Sequence, residues 1–295
     1  MIKVSKVYKS IEDNNILKNI DFSLEKGSIF GLIGPNGAGK TTLIKCLTGI
    51  YEADKGSITI MDEPIYNNKY LKEKIAYVPD SCTFFEFNKI KDVIKFYKLT
   101  YKNFDMNKFN RINKVFNIPL NSSVKKLSKG MNMRFSILLA LCINPEVVIL
   151  DEPLSGIDPI VKSQILKLLI EEVSERETTV IISSHNLSQL EKICDTIAVM
   201  NNGEIKHFSS LDEMKENFRK LQLVFKDSSL VKIENLPGIV SFNNIGRVHT
   251  FVTSKYDDFK KALTGIELVL CEEIDLSLED IFIHSLGGDG IEEIL

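Results

Sequence analysis

The stretch Gly34-Pro35-Asn36-Gly37-Ala38-Gly39-Lys40-Thr41-Thr42 decides how this chain is read. Before it, Ser28-Ile29-Phe30-Gly31-Leu32-Ile33 has the make-up of a buried strand, and after it Thr41-Thr42-Leu43-Ile44-Lys45-Cys46-Leu47 has helical spacing. A glycine-rich turn in that position coils tightly and aims successive backbone N–H groups at one point, where the helix N-terminus favours an anion. Gly34, Asn36, Gly37, Ala38, Gly39 and Thr42 form the expected cradle for a nucleotide's phosphates. Lys40 brings a full charge to the β and γ phosphates, and Thr41 places a hydroxyl where a bridging Mg²⁺ needs an oxygen ligand. The competing reading is a solvated glycine turn with a surface lysine, and the flanking strand and helix weigh against it.

The rest of the chain narrows the class. At 295 residues, 44% of them hydrophobic and 26% charged, it has the length for about two folded domains. Its five cysteines (Cys46, Cys82, Cys142, Cys194, Cys271) are scattered, with no metal or redox spacing. They read as reduced thiols, and the expected compartment is the cytosol. The longest apolar run, near Ile137 to Ile143, falls well short of the ~18 residues a membrane-spanning helix needs. A net charge of −3 shows no basic footprint, so no nucleic-acid partner is expected.

From Ile2 to about Phe208, strand-like and helix-like runs alternate as in an α/β domain with a largely parallel, buried sheet. Val147-Val148-Ile149-Leu150 and Val180-Ile181-Ile182 are apolar throughout, as strands covered on both faces should be. Asp158-Pro159 starts a helix, and Asn201-Asn202-Gly203 closes a tight hairpin. Between about Ser81 and Asn144 the texture becomes helical and rich in Lys, Asn and Phe, which predicts an inserted helical subdomain. The domain expected over 1–210 is followed by a small α/β appendage over 211–295. Strands are expected there at Leu221 to Phe225, Val248 to Val252 and Ile266 to Leu270. A closing helix is expected too, boxed by Ser277 and Asp280, with Leu278, Ile281, Phe282 and Ser285 on one face and a stop at Gly287-Gly288.

A bound nucleotide also needs a metal anchor and a base, and Asp151-Glu152 directly follows the strand Val147 to Leu150. Successive residues leaving a strand point different ways, so Asp151 is assigned to the metal and Glu152 to the attacking water. His185 ends the strand Thr178 to Ser184, at the same sheet edge if the strands are parallel, where an imidazole can reach the γ phosphate. An isolated acidic pair would more often be a solvated turn, and a lone histidine a cap or core residue.

Together these residues resemble the ATP-binding subunit of an ABC (ATP-binding cassette) transporter, over about Ile2 to Phe208 and in the family's motif order. Leu127-Ser128-Lys129-Gly130-Met131 is similar to the signature motif, usually Leu-Ser-Gly-Gly-Gln, and Ser155-Gly156-Ile157-Asp158 to the D-loop. His185 stands where the family has its switch histidine, and Tyr8 where an aromatic stacks on adenine. The resemblance implies an α/β P-loop NTPase cassette that binds and hydrolyses ATP with Mg²⁺. It also implies a head-to-tail dimer in which Ser128 and Gly130 complete the partner's phosphate site. Bottom-up, Ser128 is a suitable cap for an apolar helix from Gly130 to Cys142.

Three departures stand out: Lys129 replaces the first signature glycine, Met131 replaces the signature glutamine, and Asp80 in Tyr77-Val78-Pro79-Asp80 replaces the usual glutamine of the Q-loop. Asp80 would add negative charge near the metal and is counted with Thr41 and Asp151 as a metal-site residue. Phe84, Phe85 and Phe87 follow, where the family's cassettes receive a helix of the integral membrane permease; core packing explains them equally. The appendage resembles the tail of export-type cassettes. The expected protein is therefore a transport ATPase, a homodimer with both half-sites complete, peripheral on the inner face of the cell membrane and powering export of a drug, peptide or lipid-like compound. The alternative is a soluble ABC-type ATPase acting on the ribosome or DNA. It predicts a second cassette in the chain or a long coiled-coil insertion, which the sequence lacks.

Overall fold

The computed structural model describes residues 1–81, 85–226 and 236–277. The chain forms two compact units, one of residues 1–185 and 193–208, the other of residues 186–192 and 209–295.

The first unit opens with long antiparallel strands, β1 (Ile2–Ile11) and β2 (Asn14–Leu24), and continues through β3 (Ile29–Ile33) into α1 (Lys40–Leu47). β4 (Lys55–Ile60) pairs antiparallel with β1, and β5 (Glu63–Pro64) extends it, giving the sheet order β2-β1-β4-β5. The alternating pattern of the sequence does not separate this antiparallel sheet from the parallel one. After α2 (Lys69–Lys72) and β6 (Ile75–Val78) come α3 (Ile90–Thr100), α4 (Met106–Phe116) and α5 (Lys129–Cys142), which make up the helical insertion. β7 (Val147–Leu150), α6 (Pro159–Arg176), β8 (Thr179–Ser184), β9 (Thr196–Asn201) and β10 (Glu204–Ser210) complete the series, and the short α7 (Leu187–Leu190) between β8 and β9 falls in the second unit. The second sheet has the order β10-β9-β3-β8-β7-β6. Its pairs β9–β3, β3–β8, β8–β7 and β7–β6 are all parallel.

The residue chemistry explains these elements. Every residue of β3, β7 and β8 is buried, as continuous Val/Ile runs in a sheet covered on both faces require. Phe22, Phe30, Leu43, Leu47, Ile149 and Ile181 join one core that spans both sheets and α1. Asp158 accepts from the Ile160 N–H with Pro159 at the first helical position, so α6 starts as its sequence predicts. The β9–β10 hairpin turns through Asn202 and Gly203, both at positive φ (48° and 80°). Cys46, Cys142 and Cys194 are buried free thiols; burial pushes Cys46 up to about 11 and Cys142 up to about 12, while Cys271 is exposed. Cys82 lies outside the described residues.

In the second unit, α8 (Leu211–Asn217) begins with a full capping box between Ser210 and Glu213. β11 (Arg219–Phe225), β12 (Ile239–Ile245), β13 (Val248–Thr253) and β14 (Leu268–Ile274) form an antiparallel sheet in the order β12-β13-β11-β14. With α9 (Tyr256–Ala262) it encloses Leu223, Phe225, Phe251 and Phe259. The last strand runs four residues further than the apolar pattern Ile266 to Leu270 indicates, because exposed Cys271, Glu272 and Glu273 continue the backbone pairing with β11, and Glu273 adds an ion pair to Arg219 Nε at 3.2 Å. The expected closing helix lies outside the described residues.

Candidate functional site

Parallel pairing brings the carboxyl ends of β3, β8, β7 and β6 to one edge, and each is followed by a residue of the expected chemistry. β3 delivers the glycine-rich loop, β7 delivers Asp151 and Glu152, β8 delivers His185, and β6 leads to Asp80. The loop lies close to its surroundings: a Cβ on Gly34 would sit 2.2 Å from the Met200 carbonyl oxygen. Gly39, at φ 105°, starts α1 with no side-chain cap, whereas Ser128 and Asp158 cap α5 and α6. The first N–H groups of α1 are thereby left to an external acceptor. Pro35 to Thr42 line one concave cradle together with Ile16, Asp80 and Glu152.

Around that cradle the polar groups interlock. Thr41 Oγ1 donates to Asp151 Oδ2 at 2.8 Å, and Ser183 Oγ donates to Asp151 Oδ1 at 2.7 Å. Ser183 Oγ also accepts from the Glu152 backbone N–H at 2.9 Å, so one buried hydroxyl holds both acidic residues in place. Glu152 itself adopts φ 49°, a left-handed conformation that costs an L-residue about 1 to 2 kcal/mol. Its Oε2 lies 2.8 Å from His185 Nδ1. Lys40 Nζ donates to the carbonyls of Gly34 (2.6 Å) and Pro35 (3.2 Å) and forms an ion pair with Glu152 Oε1 at 3.2 Å. Oε1 is buried and, apart from that ion pair, receives no hydrogen bond. Burial beside the Asp151 carboxylate pushes the Tyr77 phenol up to about 12.

The structure thus gathers Lys40, Thr41, Asp151, Glu152 and His185 at one edge with the loop residues Gly34, Asn36, Gly37, Ala38, Gly39 and Thr42. Tyr8, Asp80, Ser128 and Gly130 stand outside this group. Tyr8, expected at the adenine and not at the phosphates, sits on β1 beneath Lys55 Nζ, 6.0 Å from its ring centre, and lines a separate hollow. Strand pairing with β4 holds it there, and the apolar side chain that does line the cradle is Ile16 on β2. Asp80 reaches the cradle rim, yet its carboxylate faces Lys129 Nζ at 3.3 Å rather than the Thr41–Asp151 pair. Two of the three residues that depart from the family pattern, Lys129 and Asp80, are thus partners. Ser128 caps α5 through the Met131 N–H at 3.3 Å, and neither it nor Gly130 lines the cradle of its own chain.

Ile16 and Ser183 were missed by sequence reading. Ser183 left a signal, a hydroxyl residue closing an otherwise apolar buried strand; Ile16 left none, since one isoleucine in an alternating strand looks like any other. The phenylalanine cluster also divides. Phe85 turns inward to Phe96 (5.5 Å) and Tyr97 (6.3 Å), Phe87 is 83% exposed, and Phe84 lies outside the described residues.

A phosphate cradle, a hydroxyl–carboxylate pair and a second carboxylate with a spare acceptor oxygen define a P-loop ATPase. Comparison with known proteins specifies it further. The ABC transporter family profile matches residues 17–155. The ABC transporter ATP-binding protein YtrB of Bacillus subtilis is 32% identical over 98% of this chain and 99% of its own. The bacitracin transport ATP-binding protein BcrA of Bacillus licheniformis is 29% identical over 99% of each. Among solved structures, cbiO1 of Clostridium perfringens, part of the transporter complex cbiONQ, is 28% identical with a TM-score of 0.62, covering 72% of this chain and 89% of that one. The cassette MJ0796, solved as a dimer in a post-hydrolysis state with ADP and Pi, shares the fold with a TM-score of 0.65 at 20% identity, covering 72% and 99%. The chain belongs to the ABC transporter family, among its ATP-binding subunits, and is an ABC-type ATPase.

Proposed function

We propose that this chain is the motor of an exporter for a drug, peptide or lipid-like compound, working as a homodimer on the cytoplasmic face of an integral permease. The observation that carries the motor reading is the convergence at one sheet edge of Lys40, Thr41, Asp151 and Glu152, with Glu152 Oε1 buried and without a hydrogen bond. Lys40 exchanges its two carbonyl partners for the β and γ phosphates, and the uncapped start of α1 directs N–H groups at the same oxygens. Glu152 Oε1 accepts a proton from the attacking water, while His185 holds the carboxylate through Oε2. Thr41 Oγ1 and Asp151 Oδ2, already in contact, are the hard oxygen donors that a partly hydrated Mg²⁺ takes. When bound, the ion neutralises charge developing on the phosphates.

Ser128 and Gly130, away from their own cradle, are assigned to the partner's. A Cβ on Gly130 would meet nothing closer than Ile157 Cγ2 at 3.9 Å, so packing within the chain does not demand that glycine. The permease reading is supported by a small hollow beside edge strand β6, where the aromatic side chains of Tyr77, Phe85, Tyr97, Tyr101 and Phe135 meet the polar Asn132 and Ser136, a mixed surface suited to a side chain of a partner. Export rests on the likeness of the appendage to the tail of export-type cassettes; the bacitracin transport ATP-binding protein BcrA aligns through that region as well as through the first unit. Residues 211–295, the larger part of the second unit, are assigned as the accessory domain.

The test is affinity purification of the tagged chain from membranes after mild detergent extraction, with mass spectrometry of what accompanies it. An integral membrane protein in stoichiometric amount is the expected result. Ribosomal proteins or nucleic acid in its place would overturn the reading in favour of a soluble ABC-type ATPase.

A further inference from the structure

The charge of this protein is strongly divided. Residues 81–144 carry twelve Lys and Arg against three Asp and Glu, a surplus of nine within a chain whose net charge is −3. The balance over the whole chain therefore conceals a basic insertion in an acidic protein. The surplus is outward-facing: Lys89, Lys91, Lys95, Lys98, Lys102, Lys125 and Lys126 are all exposed. Among the described residues none of these lysines lies within 4.0 Å of a carboxylate, whereas Lys129 of the same insertion pairs with Asp80.

Their arrangement is regular. On α3, Lys91, Lys95 and Lys98 follow one another at i, i+4 and i+7 and so share one stripe. One residue further round, Phe96 and Leu99 form a parallel stripe, 49% and 79% exposed, while Val93 and Ile94 face the core. Exposed Phe87, 83% accessible, lies under Lys125 Nζ at 5.2 Å and adds a second apolar tip beside a cation. Large exposed apolar side chains interleaved with unpaired lysines suit neither a core nor a purely solvated face. They suit a surface with negative headgroups above an apolar layer, where the ammonium groups meet phosphates and the rings enter the acyl boundary.

We propose that this face of the helical insertion, built on α3, binds directly to the anionic phospholipids of a bilayer. The contact is a property of the chain itself and needs neither a bound nucleotide nor a permease. Nucleic acid would satisfy the lysines equally and find rings to stack on in Phe87 and Phe96, but it would leave Leu99, 79% exposed, in water.

The test is co-sedimentation of the full chain, at about 0.1 M salt, with vesicles of pure phosphatidylcholine and with vesicles containing phosphatidylglycerol. Partition is expected to be at least tenfold stronger on the anionic vesicles and to weaken as salt is raised. The triple variant Lys91→Gln, Lys95→Gln, Lys98→Gln should lose at least twentyfold, since each lysine brought to an anionic leaflet contributes about fivefold. Phe96→Ser with Leu99→Ser should weaken binding to the same vesicles by about tenfold or more. The control Lys3→Gln, Lys6→Gln, Lys18→Gln removes equal charge elsewhere and should change partition less than about twofold; retained nucleotide binding shows that each variant is folded. Equal partition on neutral vesicles, no partition at all, or undiminished partition of the α3 triple variant would overturn the proposal. So would tighter binding to a short DNA duplex or single-stranded RNA than to the anionic vesicles.

Discussion

Ser183 carries more of the site than its size suggests, because its one hydroxyl donates to Asp151 and accepts from the Glu152 N–H. Ser183→Ala would leave two buried groups unpaired, a loss of about 1 to 3 kcal/mol readable as a lower denaturant midpoint. Phosphate release should fall about ten- to hundredfold with it, since both carboxylates lose their anchor. An unchanged rate would show that the strand ends position them unaided. Gly34 allows no substitute: with Met200 O 2.2 Å from the position of a Cβ, Gly34→Ala should cost about 2 to 4 kcal/mol and weaken ATP binding, measured by thermal melting and nucleotide titration. The exposed Asp80–Lys129 pair belongs at the other end of the scale. A double-mutant cycle with Asp80→Asn and Lys129→Met should find a coupling below about 1 kcal/mol.

Helix starts show why some elements were legible and others were not. Asp158-Pro159 and Ser128 carry their caps in the residue types themselves, so α6 and α5 begin where local chemistry places them. β3, β7 and β8 were legible because burial on both faces leaves unbroken apolar runs, and with them came the phosphate loop, Asp151, Glu152 and His185. Pairing was less legible. Whether β1 joined the parallel sheet depended on partners in β2 and β4, and the position of Tyr8 followed from that pairing rather than from its neighbours in sequence. No local pattern marks the buried contact of Lys108 on α4 with Glu172 on α6, at 2.7 Å with Asn144 as a further acceptor. Lys108→Met alone should cost up to about 3 kcal/mol, because the buried Glu172 charge then keeps only Arg176 Nε, at 3.8 Å. Lys108→Met with Glu172→Leu should recover most of that loss, and a chemical denaturation series on the two variants checks both expectations.

At the scale of the whole molecule, α5 presents Ser128 away from the cradle of its own chain, and in the proposed assembly a second protomer supplies that residue to the site. Nucleotide at ~10 to 100 times its dissociation constant would favour the closed pair by about 1.4 to 2.7 kcal/mol per site, and hydrolysis would remove that bias. The arrangement has a specific signature in mixtures. Lys40→Ala and Ser128→Arg chains should each be inactive alone, yet mixed dimers contain one cradle with intact Lys40 facing an intact Ser128. Mixing should restore about a quarter of normal turnover, and no recovery would contradict assembly in trans. The central claim, that Glu152 takes the proton of the water that cleaves ATP, is tested most directly by single-turnover phosphate release from Glu152→Gln beside the unmodified chain. The account predicts a rate about 10² to 10⁴-fold lower with ATP affinity unchanged; turnover near that of the unmodified chain would contradict it.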